Sequence, residues 1–139
     1  MKYTSKIFVT VDIIVLDYEQ NKILLIQRKN EPYKGMWALP GGFVDENEDL
    51  EVAARRELKE ETSIVVAQLT QIKAFGKPGR DPRQHTVSIG FAGVASKNVL
   101  VKAADDAKEA KWFDRKDLPE LAFDHDEIIA EADKMFFNK

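Results

Sequence analysis

The sequence has 139 residues, 44% hydrophobic and 32% charged, which suits one globular domain over 1–139 and excludes a disordered chain. Its net charge of −3 supplies no global field to recruit nucleic acid or anionic membrane, which argues against a dedicated DNA binder, though not against a nucleotide held by a few arginines. Cysteine is absent, so disulfides and thiolate metal sites are excluded and any metal must sit on oxygen or histidine.

The N-terminal "MKYTSKIFVTVDIIVLDYEQ" lacks the long apolar core and cleavage site of a signal peptide. Its apolar run is broken by Asp12 and is too short to span a bilayer, so the expected location is the cytoplasm. "KIFVTVDIIVLD" and "KILLIQRKN", on either side of the polar turn "YEQN", predict a strand, a hairpin connection and a second strand. "EPYKGMWALPGGF" reads as loop. A helix is predicted from about Asn47 to Thr62, where good helix formers run without glycine or proline.

"SIVVAQLTQIKAFG" and "HTVSIGFAGVAS" predict further strands around the loop "KPGRDPRQ", and "EAKWFD" a short one. The final "DHDEIIAEADKMFFN" predicts an amphipathic helix whose apolar stripe holds Ile128, Ile129, Ala132, Met135 and Phe136. Asp124 and Glu127 have the spacing of a helix cap and its reciprocal partner. The expectation is an α+β domain, with two principal helices against a mixed sheet.

At about 100° per residue, Leu50, Ala53, Ala54 and Leu58 define the inward face of the first helix. Glu57 and Glu61 fall inside that face and Glu60 on its edge, while Glu51, Arg55 and Lys59 point away. Like charges three and four apart cost roughly 0.2–0.5 kcal/mol per pair. Acids in a last turn oppose the helix dipole by about 0.3–1 kcal/mol each. A divalent cation reverses every one of these signs, and three carboxylates on one face suit Mg²⁺ or Mn²⁺. In "LPGG", Gly41 and Gly42 leave room for backbone to approach a metal or a phosphate.

These residues resemble the signature of the Nudix hydrolases: Gly42, five residues, Glu48, seven residues, then "RELKEETSI" ending at Ile64. One position departs, where Ser63 replaces the family's glycine; "GMWALPG" before the box is also typical. The resemblance implies an α/β/α sandwich that hydrolyses a nucleoside diphosphate linked to another moiety. It implies that Glu57, Glu60 and Glu61 bind the divalent ions, with the Gly41 carbonyl as an extra ligand. Arg56 would orient the glutamates, and Glu48 would be either a secondary ligand or the partner of Arg56. The general base stays open among Glu60, Glu61, Glu109 and Asp124. Serine in a left-handed helix exit costs roughly 1–2 kcal/mol, so a local adjustment at Ser63 with retained activity is expected.

"GRDPR" and "LAFDHDEI" are similar to the ADP-ribose pyrophosphatase branch, and to the Nudix domain of related transcription regulators of NAD metabolism. Arg80 and Arg83 are then candidate phosphate contacts, as is Arg28 at the end of the second strand. His125 is either a solvated neighbour of the helix cap or a pocket residue; Phe75 and Phe123 are either core or adenine-stacking. The expected reaction is ADP-ribose to AMP and ribose 5-phosphate. A pool-sanitising nucleoside triphosphate pyrophosphatase and a non-catalytic sensor domain are the rival readings. The regulators carry an added winged-helix domain, and this sequence ends at Lys139, just after its last predicted helix, which favours the enzyme. The expected partner is a small nucleotide, with no nucleic acid or membrane, and the expected assembly a homodimer.

Overall fold

In the computed structural model, which describes residues 5–17, 19–95 and 107–137, seven strands and two helices follow one another. They are β1 (Phe8–Asp17), β2 (Lys22–Arg28), β3 (Trp37–Ala38), β4 (Gly41–Phe43), α1 (Leu50–Thr62), β5 (Thr70–Phe75), β6 (Thr86–Val94), β7 (Ala107–Asp114) and α2 (His125–Ala132). β1 is central, parallel to β6 from Phe8 to Leu16 and antiparallel to β2 and β4. β5 lies outside β6, while β3 and β7 pair with β2.

Alternation along β1 sorts the core into two layers. Val11, Ile13 and Val15 pack with Ala53, Ala54 and Leu58 of α1, whereas Ile14 and Leu16 pack with Ile128, Ile129 and Ala132 of α2. A helix covers each face, which is why β1 is a near-continuous apolar run rather than an alternating one. Each fully buried aliphatic side chain contributes about 1.5–3 kcal/mol, so docking rather than propensity holds the helices. The mixed sheet between two helices is the expected α+β sandwich. No helix among the described residues is long and apolar enough to cross a membrane.

Several boundaries differ from the sequence reading, each for a local reason. The helix begins at Leu50 rather than near Asn47, because Asn47 has a φ of 64° and Glu48 turns its carboxylate back to Arg56. The strand expected over 63–76 is only Thr70–Phe75. Upstream, the Val66 and Ala67 carbonyls accept from the Arg55 guanidinium. The segment read as loop contains β3 and β4, because Gly41–Phe43 pair with Asp12, Val11 and Thr10. Asp124 does not cap α2 with its side chain; its carboxylate is taken by Arg80. Met135 leaves the buried stripe and is exposed, because the chain widens into a π-helical turn over Asp133–Phe137. Tyr18, Ser96 and Asn138, at the edges of expected elements, lie outside the described residues.

Ser63 does not adjust the helix exit. It takes the left-handed conformation itself, φ 63° and ψ 15°, and its N–H donates to the Lys59 carbonyl as a glycine's would. The position is exposed, so a side chain fits and only backbone strain opposes it. Ser63→Gly is expected to raise stability by about 1 kcal/mol and to leave turnover unchanged. Chemical denaturation beside steady-state kinetics checks both; a destabilised variant would show that serine is not strained there.

Candidate active site

α1 delivers its acids at three depths. Glu61 is buried at 4% exposure, the Glu57 side chain is partly buried at 13%, and the Glu60 side chain is about half exposed at 47%. The helical period therefore sorted inward from outward acids as expected. What it could not show is how the charges are balanced. Arg56 donates through Nε and Nη2 to both oxygens of Glu48 (2.7 and 2.9 Å), and through Nη1 to Glu57 (2.9 Å) and Glu60 (3.2 Å). Its Nη2 also donates to the Phe43 carbonyl, tying α1 to β4. One guanidinium thus offsets the like-charge cost of the run. Glu48 stands as the partner of Arg56: that bond first, and the Asp45 N–H second, hold its carboxyl down at about 2.

The glycine turn is shaped by the same acids. A Cβ on Gly42 would lie 2.5 Å from the Glu57 carboxyl, and one on Gly41 would strike the Val11 carbonyl and Asp12. Glycine is needed there because the glutamate packs against the backbone. The Gly41 N–H points at Glu61 Oε1 from 3.4 Å, and Glu61 Oε2 is buried without a hydrogen-bond partner. Burial first, then the charge of Glu57, pushes the Glu61 carboxyl up to about 9; burial raises Glu57 as well. A buried carboxylate oxygen without a hydrogen-bond partner, beside a second, partly buried carboxylate, fits a hard divalent cation. Among the described residues, however, no three acids or histidines converge as a complete ligand set. Glu57 and Glu61 line the cavity, and Glu60 does not.

That cavity, of about 400 Å³, runs from exposed residues such as Asn30 and Phe43 down to a floor of Asp12, Leu39, Glu61 and His125. Its opposite wall is basic. Arg28 is half-buried, its Nε donating to the Pro32 carbonyl at 2.7 Å and its guanidinium lying 4.9 Å over the Phe123 ring. It makes no ion pair among the described residues, and burial first, with Arg83 second, lowers its pKa from the ordinary arginine value. Arg83 lies against Phe43 and Phe123 (5.4 and 5.8 Å) and is forked onto Asp81 at 2.8 and 3.1 Å. Arg80, only 5% exposed, is bound bidentately to Asp124 at 2.6 and 2.8 Å. It lines the cavity with its guanidinium already committed.

His125 is not a solvated capping neighbour but a residue of the cavity floor. It is buried, its Nδ1 accepts the Leu39 N–H at 3.0 Å, and its Nε2 faces Asp12 Oδ1 at 3.4 Å. Burial lowers its pKa, so it is neutral, with the proton on Nε2. Phe123 lines the cavity with a φ of 54°, whereas Phe75 belongs to the core beside α2. Glu109 is exposed on β7, opposite Gln27, and does not line the cavity. Asp12 was missed as a site residue. The signal was a single acid inside an apolar strand, a placement that demands partners.

Acids and arginines facing one another across a cavity on an α/β/α sandwich form a site suited to a phosphorylated ligand and a divalent cation. The chain belongs to the Nudix family, whose NUDIX domain model matches residues 6–132. It is 50% identical over 121 residues to the ADP-ribose pyrophosphatase of Methanocaldococcus jannaschii, across 87% of this chain and 70% of that protein. The MutT/nudix family protein from Enterococcus faecalis superimposes with a TM-score of 0.90 at 34% identity, over 100% of this chain and 65% of that one. The NUDIX domain of Shewanella oneidensis NrtR, solved in complex with ADP ribose, does so with a TM-score of 0.87 at 34% identity. That match covers 95% of this chain and 90% of that one.

Proposed function

We propose that this chain hydrolyses the pyrophosphate bond of ADP-ribose, giving AMP and ribose 5-phosphate, with Mg²⁺ or Mn²⁺. The observation that carries the reading is the half-buried Arg28, without an ion-pair partner among the described residues and beside a second guanidinium on the same aromatic ring. Two cations so placed repel one another, and a diphosphate relieves both. The similarity to the Methanocaldococcus jannaschii enzyme, and to a domain solved with ADP ribose, supports the choice of nucleotide.

Glu57, Glu61 and Glu60, with the Gly41 carbonyl, would hold the cation, which supplies charge neutralisation and a more acidic water. Arg28 and Arg83 orient the diphosphate, and Arg56 keeps the glutamates in register. The water oxygen forms a bond to one phosphorus as the bridging P–O bond breaks, its proton passing to a carboxylate. We place the protein in the cytoplasm, as a single Nudix domain and a homodimer acting on a small nucleotide.

The test is incubation with Mg²⁺ and ADP-ribose, NAD, sugar nucleotides or nucleoside triphosphates, with the products identified. ADP-ribose is expected to be the preferred substrate, and Arg28→Ala to raise its KM about tenfold or more. Tight ADP-ribose binding without turnover of any nucleotide would replace the enzyme by the sensor reading. Preference for triphosphates would support the pool-sanitising one.

A further inference from the structure

Asp12 lies at the cavity floor, 6% exposed, on the central strand between two fully buried residues. A carboxylate there is costly unless its oxygens are occupied. The Ser88 hydroxyl donates to Oδ2, and the His125 Nε2–H faces Oδ1 at 3.4 Å. His125 Nδ1 accepts the Leu39 N–H, so Ser88, Asp12, His125 and the Leu39 backbone follow one another, hydrogen-bonded at both ends and joined in the middle by the 3.4 Å contact.

Leu39 opens the glycine turn, and three successive residues of that turn are pinned to three different elements. Leu39 is held by His125 at the start of α2. The Pro40 carbonyl accepts from the Ile13 N–H on β1 at 2.8 Å. The Gly41 N–H points at Glu61 on α1. Asp12 also abuts the turn directly, its Oδ1 2.6 Å from the point a Gly41 Cβ would occupy.

We infer that Asp12 is a positioning residue that holds the His125 ring in place from its Nε2 side and, through it, holds the Leu39–Gly42 turn against Glu61. Neither Asp12 nor His125 then needs to touch the substrate. The role is to keep the turn and the acid of α1 in one arrangement, so its loss falls on kcat, whereas loss of a cavity arginine falls on KM. The kinetic part rests on the ADP-ribose reading above; the structural part does not.

Two measurements decide it. In the wild-type protein, ¹⁵N shifts of the His125 ring are expected to report the neutral Nε2–H tautomer at pH 7. In Asp12→Ala the Leu39 amide is expected to exchange at least tenfold faster. A wild-type Nδ1–H tautomer or imidazolium, or an unchanged Leu39 amide in the variant, overturns the inference. Neither readout needs a substrate, so a protein that leaves ADP-ribose intact sinks the proposed function without touching this result.

With ADP-ribose, Asp12→Ala is expected to lower kcat at least thirtyfold with KM within threefold. Asp12→Asn recovers kcat to within about fivefold of wild type. Its carboxamide oxygen can accept from His125 while its NH₂ donates to Ser88 Oγ. Equal losses in Asn and Ala would show that the charge itself acts in the reaction and overturn the positioning role. If Asp12→Ala does not fold, His125→Asn carries the kinetic test. It keeps an acceptor for Leu39 and cannot reach Asp12, so a kcat loss of tenfold or more is expected, and wild-type kcat overturns the inference.

Discussion

Glu61→Gln is expected to lower kcat at least a thousandfold and, in the absence of divalent cations, to make the protein more stable. The two effects have one cause. Glu61 is the most deeply buried acid of α1, with one oxygen unpartnered and a second carboxylate beside it. Its carboxyl holds a proton up to about 9 in the folded protein, against an ordinary value of 4.5. The folded state therefore binds more protons between those values, and stability falls as pH rises through that window. Glutamine has no proton to lose and removes that slope. The expected gain is about 1–3 kcal/mol at pH 8, or roughly 3–10 °C in melting temperature.

A saturating divalent cation should narrow or reverse the difference, because only the wild-type protein binds it well. Thermal unfolding with EDTA and with Mg²⁺, beside steady-state kinetics, tests both halves. Near-wild-type turnover in the glutamine variant would remove Glu61 from the metal site.

Arg56→Ala should lower kcat by about two orders of magnitude, because this one guanidinium holds Glu48, Glu57, Glu60 and the Phe43 carbonyl. Its site is partly solvated, so the accompanying stability loss is small and weakened further by salt. The pH dependence is more diagnostic. Glu48 is held at about 2 by Arg56, so its contribution is present above the ordinary carboxylate range and is lost as pH falls toward 2. In Arg56→Ala that acid limb should flatten. Arg56→Lys should behave more like Ala than like wild type, because an ammonium cannot fork onto both Glu48 oxygens. An unchanged acid limb in Arg56→Ala would show that Glu48 is held by something else.

The parts of the fold legible in the sequence are those set by neighbours in the chain. The 3.6-residue period placed Ala53, Ala54 and Leu58 inward together with Glu57 and Glu61, and the structure buries all but Glu57 fully. The β-branched run predicted β1, and it is the central strand. Helix ends were less legible, since Asn47 and Asp124 were diverted by a left-handed turn and by Arg80. The shortened β5 has the same kind of cause, carbonyls captured by Arg55 from α1.

The three cavity arginines show where local reading stops. Arg28, Arg80 and Arg83 read alike as phosphate contacts, yet Arg80 is locked to Asp124, 44 positions away, while Arg28 has no carboxylate partner among the described residues. His125 and Leu39 are 86 positions apart, and Ser88 and Asp12 76 apart, so nothing in either neighbourhood announces the bond. By itself the sequence determined the family, the acid-bearing face of α1 and the need for glycine in the turn. Helical period and missing side chains are local properties, readable along the chain. Only the tertiary structure decided which charges neutralise one another and which stay available to a ligand. That choice depends on which oxygen and which nitrogen the packed sheet brings within about 3 Å, and distance in space is not written in distance along the chain.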